Sequence, residues 1–227
     1  MVKKEYTREF IMLDKLIQLH ILNPDGSTNI VASVNALLTE ATIDRTSVPR
    51  NIMDISANLK LPVQTYNFTE IEKRLDVEED YVLAGISALS DKITPVIMCR
   101  ISSADAVLNF ALAHELGHAV IHAQELMEGA FFLQIRNGHE VPVPITQQLP
   151  NGTIAAYGTA EQEVLAEMFA KELTMPEDIL KNDYSDLGGK FDECANEIFI
   201  ELLDKYNVTF RQLKFRLREL GLLKQWN

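Results

Sequence analysis

Phe110-Ala111-Leu112-Ala113-His114-Glu115-Leu116-Gly117-His118-Ala119-Val120-Ile121 decides how this chain is read, because it sets two histidines four residues apart in an apolar run. Residues at that spacing on an α-helix are separated by about 40° around the axis and about 6 Å along it. Both imidazoles can therefore reach a single ion from one face. Glu115 falls on the flank of that face, where a carboxylate can take a proton from a water held by such an ion. The apolar neighbours predict a mostly buried helix, begun by Ser102 with Asp105 as its capping pair. Unpartnered His, Glu and His in such a helix would cost several kcal/mol, and a metal ion supplies the partner. Gly117 is about 1 kcal/mol less favourable than Ala in a helix interior. Its presence there predicts the close approach of another backbone or of a substrate.

A catalytic zinc keeps three protein ligands and one open position. His122 follows His118 by one more turn, but the outer two of three residues at i, i+4 and i+8 lie about 12 Å apart. His122 is therefore read as a packed or supporting histidine. A better source of the third ligand is the segment from Thr159 to Pro176. Thr159 with Gln162 reads as a capping box and Pro176 as a stop. Leu165, Phe169 and Leu173 repeat at helical spacing, while Ala166 and Ala170 leave room for a second helix. Glu163 and Glu167 share one face, and like charges four apart disfavour an isolated helix by a few tenths of a kcal/mol. A cation between the helices reverses that sign. One carboxylate would ligate, and the other would orient a ligand histidine through its second ring nitrogen.

The run FALAHELGHAVIH over 110–122, followed by EVLAEMFAKELTMP over 163–176, resembles the ImmA/IrrE family of zinc metallopeptidases. That family pairs an AHELGH helix with a later E-x-x-A-N-x-F-A-x-x-L-x-M-P helix. The resemblance implies Zn²⁺ held by His114, His118 and Glu163, with Glu115 as the catalytic base. Glu167 stands where the family usually has Asn, so its extra charge bears on the surroundings of the ligands rather than on the ligand set. The likeness continues through Val48-Pro49-Arg50-Asn51-Ile52 to Val63 and through Val208-Thr209-Phe210 to Leu223, covering about residues 47–223. It implies a zincin-like peptidase acting on a protein substrate, typically a helix-turn-helix repressor. The alternative is a partner-binding or toxin–antitoxin component in which the metal is structural or cleavage is vestigial.

At 227 residues, with 47% hydrophobic and 24% charged residues, the chain can bury a sizeable core. Charges interrupt every apolar run before the roughly 18 residues needed to span a bilayer. Glu5, Arg8, Glu9 and Asp14 interrupt the start where a signal-peptide core would lie. Two cysteines, Cys99 and Cys194, make no disulfide scaffold. These features lead us to expect a cytoplasmic protein with no membrane association. A net charge of −12 argues against nucleic-acid binding by the whole molecule. The basic run Arg211, Lys214, Arg216, Arg218 and Lys224 is read as a solvated face.

Punctuation and periodicity predict helices over 8–22, 28–40, 49–59 and 70–75, and strands over 63–68, 81–87 and 93–101. The last two strands are expected to neighbour each other and to border the cleft with an exposed edge. Pro150-Asn151-Gly152 predicts a hairpin turn, and further helices are expected over 193–206 and 210–220. The layout is α+β, mostly helical, with a small, mainly antiparallel sheet and a C-terminal helical part. We divide it into an N-terminal helical arm (1–46), a metallopeptidase core (47–180) and a C-terminal helical subdomain (181–227). The segment 124–158 reads as a wall or lid of the cleft. His139, Tyr157 and Tyr184 are the candidates for polarising a substrate carbonyl.

Overall fold

The computed structural model describes residues 6–75, 82–88, 95–100, 105–127, 131–135, 147–148, 154–155, 159–189 and 196–223. Three helices and a short strand come first: α1 (Tyr6–Leu19), α2 (Ile30–Glu40), α3 (Ile52–Asn58) and β1 (Val63–Thr65). Then follow α4 (Thr69–Leu75), β2 (Val82–Ala88), β3 (Pro95–Cys99), α5 (Asp105–Ile121), α6 (Ala123–Met127) and β4 (Phe131–Ile135). The remainder is β5 (Gln147–Gln148), β6 (Ile154–Ala155), α7 (Ala160–Thr174), α8 (Glu177–Asp186), α9 (Asn196–Tyr206) and α10 (Phe210–Glu219). The fold is α+β and mostly helical, as the sequence predicts.

Local chemistry accounts for the helix starts. Asn29 and Asn51 accept from the backbone N–H groups of Ala32 and Met53, capping α2 and α3. The expected starts at Thr28 and Pro49 are therefore early by two and three residues, because the capping residue itself stays extended. Thr159 with Gln162 forms the anticipated capping box of α7, and Thr209 with Gln212 forms another on α10. α1 ends at Leu19 rather than Leu22. Beyond it the chain doubles back, with Asn23 N–H donating to Ser27 O at 2.8 Å. Gly26 supplies the positive φ of +85° that this turn requires.

The four-stranded sheet has the order β1-β3-β2-β4 among the described residues. β1 runs parallel to β3, whereas β2 is antiparallel to both β3 and β4. β2 and β3 are indeed neighbours, but both are interior strands. The exposed edge expected of them is not there, because β1 and β4 flank them. β4 lies in the segment read from sequence as a wall or lid. Gln147↔Ala155 and Gln148↔Ile154 pair across β5 and β6, consistent with the expected hairpin; its turn lies outside the described residues, as do Ser102, His139 and Tyr157.

α5 is central. It packs on α7 on one side and on β2, β3 and β4 on the other, which explains why every residue from Phe110 to Ala123 is buried. A helix apolar on all faces belongs in such a position. Phe169 and Leu173 of α7, both fully buried, each stabilise the helix pair by about 1.5–3 kcal/mol through removal from water. Leu16, Leu19, Val34, Leu37 and Leu38 join the same apolar cluster as α5 and α7, so the core runs continuously across the boundary drawn at residue 46.

The C-terminal end of α7 is held by two buried arginines. Arg50 Nη1 donates to Leu173 O at 2.8 Å, and Arg216 Nε donates to Met175 O at 3.2 Å. They satisfy carbonyls that a helix end leaves without partners. Arg216 also pairs with Glu172 at 2.6 Å. The solvated basic face expected on α10 is thus only partly realised, since Arg216 faces inward as an anchor.

Candidate metal centre

α5 presents His114 and His118 on adjacent turns toward α7, and α7 presents Glu163 one turn from its start. Gly117, between the two histidines, makes this approach possible. A Cβ there would stand 3.1 Å from the Cα and the carbonyl O of Ala166 and 3.2 Å from Cβ of Phe169. The close backbone approach expected at Gly117 is that of α7.

Three side chains converge in consequence. His114 Nε2 and His118 Nε2 are 3.1 Å apart. Glu163 Oε2 lies 3.1 Å from His114 Nε2, and Glu163 Oε1 lies 3.4 Å from His118 Nε2. One ligand atom from each of His114, His118 and Glu163 falls within 4.8 Å of the others. Tetrahedral coordination at bond lengths of 2.0–2.1 Å separates neighbouring ligand atoms by about 3.3 Å. Two buried imidazole nitrogens here face each other and one carboxylate, and Glu163 Oε1 is buried without a hydrogen-bond partner. The donor set therefore fits a cation of the zinc type.

Charge follows the same geometry. Burial alone would lower the basicity of His114, but its hydrogen bond to Glu163 and the nearby carboxylates of Glu167 and Glu115 raise its pKa to about 10. Burial lowers His118 to about 3, with the neighbouring His114 adding to the effect against the opposing pull of Glu163. Burial would raise Glu163, yet the two histidines outweigh it and bring it down to about 2. Without metal, a proton on His114 thus neutralises the Glu163 carboxylate.

Around the centre, Glu115 is fully buried. His118 stacks on Phe132 of β4 with ring centroids 4.1 Å apart and planes 8° from parallel. His122 stands behind His118, Nδ1 to Nδ1 at 3.0 Å, as a supporting histidine and not among the converging atoms. Glu167 Oε2 is 3.7 Å from His114 Nδ1, beyond hydrogen-bond reach but facing the nitrogen it was expected to orient. Tyr184 is buried in the apolar cluster, its hydroxyl 3.5 Å from Leu222 O. It is a core residue. Sequence reasoning missed Phe132; the Phe131-Phe132-Leu133 run was its only signal.

An α+β chain in which an HExxH helix packs against a carboxylate-bearing helix is of the metallopeptidase type. The family model for the IrrE N-terminal-like domain, Peptidase M78, matches residues 72–218, and this chain belongs to that family. The match begins after the 48–63 part of the resemblance, which lies outside it. No curated protein matches the chain. No helix among the described residues is long and apolar enough to cross a membrane.

Proposed function

We propose that the protein is a zinc-dependent endopeptidase that cleaves a protein substrate, a helix-turn-helix repressor being the substrate class favoured by the family resemblance, and that it works in the cytoplasm. The observation that carries this reading is the convergence of His114, His118 and Glu163 with Glu115 buried at the intervening position. His114, His118 and Glu163 would hold the ion. Bound zinc supplies a Lewis acid that makes water more acidic and a carbonyl more electrophilic. Glu115 takes the proton of the attacking water as its oxygen bonds to the peptide carbonyl carbon. The same carboxyl then protonates the amide nitrogen as the C–N bond breaks, leaving a free acid and an amine. A structural metal site would have no use for a base at Glu115.

Co-expression with candidate repressors encoded near the gene tests this. Glu115→Gln keeps shape and metal but cannot accept the proton, so cleavage falls by about 10²–10⁴-fold. Equal depletion of a repressor by wild type and by Glu115→Gln would rule out proteolysis as its route.

A further inference from the structure

The two histidines that face Glu163 differ in what stands behind them. His114 Nδ1 is buried without a hydrogen-bond partner, with the partly exposed Glu167 carboxylate at 3.7 Å. His118 Nδ1 is instead 3.0 Å from Nδ1 of His122, which is itself buried. We propose that His122 is a positioning residue for the metal centre: its Nδ1 lone pair accepts the Nδ1 proton of His118 and thereby keeps the His118 Nε2 lone pair directed at His114 and Glu163. The proposal rests on the metallopeptidase reading above.

Two ring nitrogens at hydrogen-bond distance need one proton between them, so one ring donates and the other accepts. Turning the His118 ring over would put carbons where Nδ1 meets His122 and Nε2 meets His114, and Phe132 stacked flat on the ring confines it to that plane. The backbone of His122 is fixed as well. Its main-chain N–H donates to His118 O at 2.9 Å, and the main-chain N–H of Leu126 donates to His122 O at 3.1 Å, so it sits where the turn after α5 runs into α6. The tautomer of His118 is the remaining variable. A proton on Nε2 would point into the cluster and block ligation, whereas a proton on Nδ1 meets the His122 acceptor and leaves Nε2 open. A carboxylate behind a ligand histidine both orients it and raises its basicity. His122 supplies orientation without a charge, while Glu167 offers a charge behind His114. The two ligands are thus tuned differently.

Zinc dissociation constants of the full-length chain, measured by competition with a chromophoric chelator, test this. His122→Leu has comparable bulk and no acceptor, and its affinity falls by about 10–100-fold. His122→Asn places an amide oxygen near the Nδ1 position and restores affinity to within a few-fold of wild type. His122→Asp binds at least as tightly as wild type. Melting of the metal-free variants separates loss of fold from loss of affinity. Proton–nitrogen correlation spectra of the zinc-loaded wild type, with ¹⁵N-labelled histidine, report a His118 proton on Nδ1 even if His122→Leu does not fold. Equal losses in His122→Asn and His122→Leu, an unchanged affinity in His122→Leu, or a His118 proton on Nε2 would each overturn the proposal alone. A wild-type chain that binds no zinc would overturn the metallopeptidase reading beneath it.

Discussion

Replacing Gly117 with Ala sets two opposing terms against each other at the heart of the centre. The helix interior gains about 1 kcal/mol from the exchange. The new methyl, however, meets Ala166 Cα and O at 3.1 Å and Phe169 Cβ at 3.2 Å, a few tenths of an ångström inside ordinary contact. Two of those atoms are backbone and cannot rotate away, so α5 and α7 must separate. Overpacking of this kind costs about 1–3 kcal/mol, leaving a net loss of about 1 kcal/mol and a Tm lower by roughly 2–4 °C for a chain of this size. The same separation carries Glu163 away from the His114 and His118 nitrogens, now 3.1 and 3.4 Å from its carboxylate oxygens. Ligand distances are tolerated to within about 0.2 Å, so zinc affinity falls by about tenfold or more. Calorimetry on the metal-free chain and chelator competition read the two effects. Ala166→Gly does not rescue them, because the contacting atoms are its backbone. A Gly117→Ala variant that melts higher than wild type and keeps its zinc affinity would refute this account of the helix contact.

Two further predictions concern charge. Arg216→Leu leaves Glu172 buried without the partner now at 2.6 Å and destabilises the fold by about 3–5 kcal/mol in denaturant titrations. Changing both residues to Met recovers most of that loss, and a milder effect of the single change than of the double would contradict the anchoring role. In the metal-free chain, the raised His114 pKa stabilises the fold fully below pH 6.5 and is lost as pH rises through about 10. The depressed Glu163 pKa stabilises it above pH 4.5 and is lost as pH falls through about 2. Both contributions are complete only between about pH 4.5 and 6.5. Zinc displaces the His114 proton, so the Tm gain on adding zinc grows from pH 6 to pH 9. A gain that shrinks over that interval would contradict the assignment.

The centre was legible because helical spacing leaves little freedom. His114 and His118 must share a face, Thr159 and Gln162 fix where α7 begins, and Gly117 with Ala166 announces where two helices touch. The sheet was less legible. Strand order depends on pairings between distant segments, so the sequence could propose β2 and β3 as neighbours without revealing that β4 covers β2. Phe131–Ile135 is five residues within a segment whose other signals are turns, too short to show alternation. In the sequence Pro176 marks the end of α7. It is also the N-cap of α8, and the signals for that helix were the acidic Glu177 and Asp178 in its first turn and the spacing of Leu180, Tyr184 and Leu187. Arg216 shows the limit of charge patterning: the basic run names the residues, but only the placement of α7 reveals which of them turns inward.

Metal analysis of the purified full-length chain and its Glu163→Ala variant tests the central claim most directly. The account predicts about one zinc per wild-type chain, and almost none in Glu163→Ala despite both histidines remaining in place. A wild-type chain without bound transition metal, or a Glu163→Ala chain that retains full zinc, would contradict it.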